Sequence, residues 1–140
     1  MTRVFADTDV VLDLLARRAP FYNDAAALFS LADQKALSIA VSALSFTNLH
    51  YILSKGKKAA ESRRILAQLK VLVTALPVDD KTIELALHSN FVDFEDAVQY
   101  YCAVENGINI LLTRNTKDYR TAAISVLTPS DFMRQWQSTK

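Results

Sequence analysis

Glycine and proline are scarce in this chain of 140 residues, which carries two of the first and three of the second. So few breakers leave little room for long irregular loops, and mostly regular structure with short connections is expected. A single cysteine, Cys102, excludes an intramolecular disulfide and any zinc site built from several thiolates. Lying between Tyr101 and Ala103, it reads as a buried apolar residue. Charge of neither sign dominates, because 16 basic and 15 acidic residues leave a formal net charge of +1. The overall basic surface that announces a nucleic-acid binder is therefore missing, and any contact with a polyanion has to come from local patches. No apolar run reaches the ~18 residues of a membrane span. The first residues arrive at Asp7 without an apolar leader, so neither a membrane nor export is expected, and the cytoplasm is the expected compartment. No repeat, low-complexity tract or linker is visible, and the length suits one domain over residues 1–140.

What is present is alternation between short apolar runs and stretches of helical periodicity. Arg3 to Ala6 reads as a strand, and Val10, Val11, Leu14 and Leu15 recur at helical spacing, so Asp9 is the expected N-cap of a helix ending near Pro20. A helix from Tyr22 to Asp33 is followed by a strand at 36–41. Ser42 or Ser45 can cap the next helix, which runs to Gly56, and another covers Lys58 to Leu72. Val73 to Leu76 is a short strand closed by Pro77, and Asp79 or Asp80 starts a helix. Phe94 to Glu105 is helical, with Asn106-Gly107 as its left-handed stop. Strands follow at 108–113 and 125–127. Thr128-Pro129-Ser130-Asp131 then opens a last helix with a cap residue and a first-turn proline. Strands alternating with helices predict a parallel sheet covered on both faces. Ligands of such sheets bind beyond the carboxyl ends of the strands.

Acidic residues gather at those ends. Asp7 directly follows the first strand, Asp118 follows the strand at 108–112, and Asp96 lies in the first turn of a helix, where the exposed amides favour a carboxylate. Hard divalent cations take oxygen ligands, and Mg²⁺ typically binds one or two carboxylates and several waters. Each acid also has an ordinary use: Asp9 as a helix cap, Asp13 as a solvated helix residue, Asp118 as a turn residue. His50 lacks a partner at metal-binding spacing. The basic segment Lys55, Lys57, Lys58, Arg63 and Arg64 reads first as a solvated helix face.

The motifs taken together are more specific. Val4-Phe5-Ala6-Asp7-Thr8-Asp9, Phe94-Glu95-Asp96-Ala97 and Leu112-Thr113-Arg114-Asn115-Thr116-Lys117-Asp118-Tyr119 stand in the order and spacing of the PIN-domain family. Val126-Leu127-Thr128-Pro129 resembles its last strand and helix start. The resemblance covers essentially the whole chain and is strongest to small single-domain ribonucleases of the VapC toxin type. It implies an α/β/α sandwich around a mainly parallel sheet. It further implies RNA cleavage dependent on Mg²⁺ or Mn²⁺, with Asp7, Asp96 and Asp118 as metal ligands and catalytic acids. Asp9, Asn48, Asp93, Thr113 and Asn115 are the supporting residues, and Arg114 and Lys117 are the substrate-binding candidates beside the site. RNA, a small antitoxin protein and a second copy of the chain are the implied partners.

Two positions depart from the family pattern. Asn48 stands where many members carry a glutamate on the helix after the second strand, and Asp9 stands where asparagine is usual. Asp93 and Glu95 are possible substitutes for the missing acid. A PIN fold kept only for binding RNA or protein is the alternative this leaves open. A haloacid-dehalogenase-type phosphatase also begins with Asp-x-Asp-x-Val after a strand. That family needs a late acidic pair, and Asp79-Asp80 comes too early.

Overall fold

The computed structural model describes residues 1–139. Five strands, β1 (Arg3–Ala6), β2 (Ser38–Ser42), β3 (Val73–Leu76), β4 (Ile110–Leu112) and β5 (Ser125–Leu127), form one sheet in the order β3-β2-β1-β4-β5. Every pairing is parallel. Parallel neighbours need crossovers, and helices supply most of them: α1 (Thr8–Leu15) and α2 (Tyr22–Asp33) before β2, α3 (Ala43–Leu53) and α4 (Ala59–Leu72) before β3, and α5 (Asp80–Leu87) and α6 (Phe94–Glu105) before β4. A 3-10 turn, Thr116–Tyr119, bridges β4 to β5, and α7 (Pro129–Ser138) closes the chain.

Successive strand residues point to opposite faces, and the core divides accordingly. Val4, Ala6, Ile39, Val41 and Leu112 pack with Val10, Val11, Leu28, Leu49, Leu69 and Phe132, so α1, α2, α3, α4 and α7 share one face. Phe5, Ala40 and Leu111 point the other way, onto Tyr100, Cys102 and Ala103 of α6 and onto Tyr119. Ala86 of α5 packs on Ala97 and Val98 of α6. This is the three-layer α/β/α arrangement expected from the sequence, with a sheet that is parallel throughout.

Most element boundaries agree with the sequence reading within a residue or two. The second strand begins at Ser38, and Ser42 rather than Ser45 caps the helix after it, accepting from Leu44 N at 3.1 Å. The first helix differs more. It opens at Thr8, so Asp9 lies inside its first turn instead of capping it, and it ends at Leu15, well short of Pro20. The reason lies outside α1: the Thr8 amide donates to Gln99 Oε1 of α6 at 2.9 Å, so a distant side chain does the work of a local cap.

Scarcity of glycine shows at the helix ends. Three helices finish in the same way, with one residue in the left-handed region followed by an amide that reaches back five residues. Gly107 (φ 72°) does this after α6, where Ile108 N donates to Ala103 O at 3.0 Å. Arg17 (φ 51°) and Lys35 (φ 60°) occupy the same position after α1 and α2, with Arg18 N bonded to Asp13 O at 3.1 Å and Ala36 N to Leu31 O at 2.9 Å. A side chain is strained there where glycine is not. Substituting Lys35→Gly should therefore raise unfolding stability by about 0.5–1 kcal/mol, the relieved strain less the added entropy of the unfolded chain. Urea denaturation measures this, and a loss of stability would show that Lys35 makes a contribution unrelated to its backbone angle.

Candidate active site

Strand order places the site. From β1 the sheet grows in one direction through β2 and β3 and in the other through β4 and β5, so the chain changes direction between β1 and β4. The carboxyl ends of these two strands flank the crevice where open parallel sheets bind ligands. Asp7 follows β1 and Thr113 follows β4, and the amide of Asp7 donates to Leu112 O at 2.9 Å, which locks the two ends together.

Asp7 is 5% exposed and has partners on both carboxylate oxygens. Its Oδ1 accepts from Gln99 Nε2 at 2.8 Å. Its Oδ2 accepts from Thr113 Oγ1 at 2.8 Å and from the Tyr119 hydroxyl at 3.0 Å. The same hydroxyl lies 3.4 Å from Asp96 Oδ1, so one phenol spans the two carboxylates. Behind Gln99 the network continues: its Oε1 accepts from the Thr8 hydroxyl at 3.2 Å, and Thr8 is hydrogen-bonded to Ser45 Oγ at 2.7 Å. Asp96 rides on the first turn of α6, whose N-cap is Asp93, accepting from Asp96 N at 2.9 Å.

The surrounding acids fall into two groups. Asp118 is exposed and is held by Asn115 Nδ2 at 2.9 Å, close enough to Asp96 to repel it. Glu95 Oε2 accepts from Asn48 Nδ2 at 3.3 Å. A carboxylate therefore stands beside the position where the family pattern has an acid, brought by α6 instead of α3. Asp9 and Asp13 both meet Arg114. Asp9 Oδ1 lies 3.4 Å from the amide of Arg114. Asp13, expected to be solvated, is 2% exposed. It takes a two-pronged contact from Arg114 at 2.9 and 3.2 Å, and Arg18 Nε donates to it at 3.0 Å. The Arg114 guanidinium also lies 4.4 Å over the Phe21 ring. The structure thus ties Arg114 into an ion pair, while Lys117 remains exposed. Asp79, the acid that a phosphatase reading would draw on, caps α5 through the Thr82 amide at 3.0 Å, beyond β3 at the sheet's edge.

Negative charge is left without a counter-charge at the centre. Burial pushes the Asp7 carboxyl up despite its three hydrogen bonds. Asp96 is pushed up to about 7, first by burial and then by Asp7, Asp93 and Asp118. Asp9 also rises to about 7, from burial and the charge of Asp7. Glu95 is raised by burial and by Asp7. Between two carboxylates and largely buried, the Tyr119 hydroxyl is held far above its ordinary pKa and stays a proton donor. Among the described residues no three acid, histidine or cysteine side chains converge into a ready-made cage. An ion that keeps several waters needs only the pair Asp7 and Asp96. The donor set suits a hard cation of the magnesium or manganese kind, since every candidate ligand is an oxygen.

The structure brings together Asp7, Asp96, Asp118, Thr113 and Asn115, which the sequence singles out, and adds Thr8, Asp13, Ser45, Gln99 and Tyr119, which it does not. A signal was available for Gln99, a polar residue three places after Asp96 and hence on the same side of α6. For Asp13 only Arg18, five residues on, is a local partner; the two-pronged contact comes from Arg114, 101 residues away.

A PIN-domain family model matches residues 3–117. Ribonuclease VapC1 of Aquifex aeolicus is 26% identical over 144 residues, an alignment that covers 97% of this chain and 96% of that protein. Among solved structures, VapBC2 of Rickettsia felis bound to a DNA fragment from their promoter superposes with a TM-score of 0.68 and 18% identity, covering 90% of this chain and 97% of the other. A toxin–antitoxin complex from Klebsiella pneumoniae gives a TM-score of 0.67 at 21% identity, with 90% and 97% covered. At these identities the structures speak for the fold.

Raised carboxyl groups carry a pH dependence of fixed sign. The folded site holds protons that the unfolded chain releases near pH ~4. Its favourable contribution is therefore complete below that pH and is lost as pH rises through about 7, the values reached by Asp9 and Asp96. In EDTA, the melting temperature of Asp96→Asn should gain on that of the wild type as pH is raised across this window, and the two should be closest at its acid end. Parallel curves would mean that Asp96 is not crowded by its neighbours.

Proposed function

The chain belongs to the PIN-domain family, and on that premise we propose that it is a metal-dependent endoribonuclease acting as the toxin of a toxin–antitoxin pair. The observation that carries this is the sharing of one phenol by two uncompensated carboxylates, Asp7 and Asp96, at the switch point of a parallel sheet. In this proposal the two hold a Mg²⁺ or Mn²⁺ ion, with Asp118 and Glu95 adding negative charge around them. Such an ion supplies Lewis acidity, making water more acidic and neutralising charge on a phosphate oxygen.

The chain's own residues orient and select. Gln99, Thr113 and Tyr119 fix Asp7 in a single rotamer, so that no reorganisation is needed when a cation arrives. Asn115 orients Asp118. Exposed Lys117, on the same turn, meets the RNA phosphates as a point charge. Arg114 keeps Asp13 neutralised and away from the centre, a positioning role rather than a substrate contact. Likeness to Ribonuclease VapC1 supports RNA as the substrate, and likeness to toxin–antitoxin complexes supports a small antitoxin protein as the partner. No described helix is long and apolar enough to cross a membrane. The binding-only alternative rested on Asn48, and its force is reduced by the Glu95 carboxylate beside it.

Asp7→Asn and Asp96→Asn should each lower Mn²⁺-dependent cleavage of single-stranded RNA by at least about a hundredfold, since each removes a ligand charge. Circular dichroism serves as the check that the fold survives. An Asp7→Asn protein that cleaves at the wild-type rate would sink the assignment. Gln99→Ala, which removes a donor to Asp7 but no ligand, should cost about 10- to 100-fold in Mn²⁺ affinity, read by calorimetry. Excess Mn²⁺ should raise the melting temperature of the wild type more at pH 7.5 than at pH 4.5, because at the lower pH protons compete with the ion for the carboxylates.

A further inference from the structure

A cleft of about 250 Å³ opens between the first turns of α3 and α6. Phe94 and Leu44 stand at its walls and are 48% and 45% exposed, large apolar side chains that folding has left uncovered. Its inner end is formed by Thr8 and Gln99, and Gln99 is the residue that donates to Asp7 at 2.8 Å. The cleft therefore begins one side chain away from the acid pair. At its rim Asn48 donates through Nδ2 to Glu95, which fixes the amide and leaves its Oδ1 for a ligand. No lysine or arginine lines it. A second cleft, on the other side of Asp96, is different in kind: Lys117 and Arg120 line it together with Asp93 and Asp118.

We propose that the cleft between α3 and α6 binds one unpaired nucleobase of the RNA, next to the phosphate that is cut. This rests on the ribonuclease reading and adds to it where a base goes. The cleft has no cation to hold a phosphate, and Glu95 at its rim repels one. Its walls are an aromatic ring and an aliphatic side chain, which suit a flat, weakly polar ring system. Proteins that recognise single-stranded RNA take splayed bases in this way, stacking them on aromatic side chains and reading their edges with polar groups. Asn48 Oδ1 is a hydrogen-bond acceptor, so it takes a donor on the base edge, an exocyclic amino group or a ring N–H. The basic cleft on the far side of Asp96 is left for the phosphate backbone.

The experiment uses wild-type protein with Mn²⁺ and a short single-stranded RNA whose cut position has been mapped. Abasic nucleotides are placed one at a time on either side of the cut, and KM and kcat are measured. One such replacement should raise KM by roughly tenfold in the wild type, in the range that a lost base–aromatic stack costs. In Phe94→Ala the KM on intact RNA should already be raised to that extent, and the same abasic replacement should then have little further effect. Mn²⁺ affinity of Phe94→Ala should stay at the wild-type value, which separates loss of the base contact from damage to the acid pair. Asn48→Ala should raise KM on intact RNA and have little effect on RNA that is abasic at the sensitive position. The proposal is overturned if the wild type cleaves RNA but no abasic replacement matters, or if the penalty is equal in wild type and Phe94→Ala. The latter result is also what a cleft reserved for a protein side chain would give. A wild type that cleaves no RNA at all overturns the ribonuclease reading and this proposal with it.

Discussion

A buried carboxylate held on three sides is the interaction around which this protein is organised. Asp7 stands where β1 ends, and its three donors come from α6, from the residue after β4 and from the 3-10 turn beyond it. These segments are 92 to 112 residues away along the chain. They meet because the sheet reverses its growth between β1 and β4 and because α6 covers the face onto which Phe5 and Leu111 point. Burying a carboxylate is costly unless hydrogen bonds offset the lost hydration. Gln99, Thr113 and Tyr119 supply that offset, and in doing so they tie three elements to one atom group.

The second organising fact is the separation of charge across α1. Asp7 turns toward α6, while Asp13, on the far end of the same helix, takes both Arg114 and Arg18. The cation next to the site in sequence is thereby committed to an ion pair and stacked on Phe21. What remains at the centre is acid without base, an arrangement that raises the carboxyl groups and that the proposed divalent cation would relieve. Deleting Arg114 would leave the buried Asp13 with Arg18 alone, so this ion pair belongs to the architecture even though it lies beside the chemistry.

In the proposed site, a carboxylate from another element stands beside the place where the resemblance implies a glutamate. On sequence alone Asn48 subtracts a charge from the family pattern. In the structure the amide of Asn48 meets Glu95, which extends from the first turn of α6 across the cleft. The same contact orients the amide at the rim of the apolar cleft beside Phe94.

Much of this was legible in the residues. Strand and helix periods, the cap residues Ser42, Asp79 and Thr128, and the turn at Asn106-Gly107 are local signals, decided by interactions within a few positions. They fixed the alternation of elements, and with it a parallel sheet whose carboxyl ends gather Asp7, Asp96 and Asp118. Tertiary structure decided what depends on distant partners. It moved the start of α1 from Asp9 to Thr8, because Gln99 accepts the Thr8 amide. It buried Asp13 by bringing Arg114 to it, made Tyr119 the bridge between Asp7 and Asp96, and set Glu95 against Asn48. Hydrogen bonds and ion pairs across a hundred residues leave no period in the sequence, so only the folded sheet could reveal them.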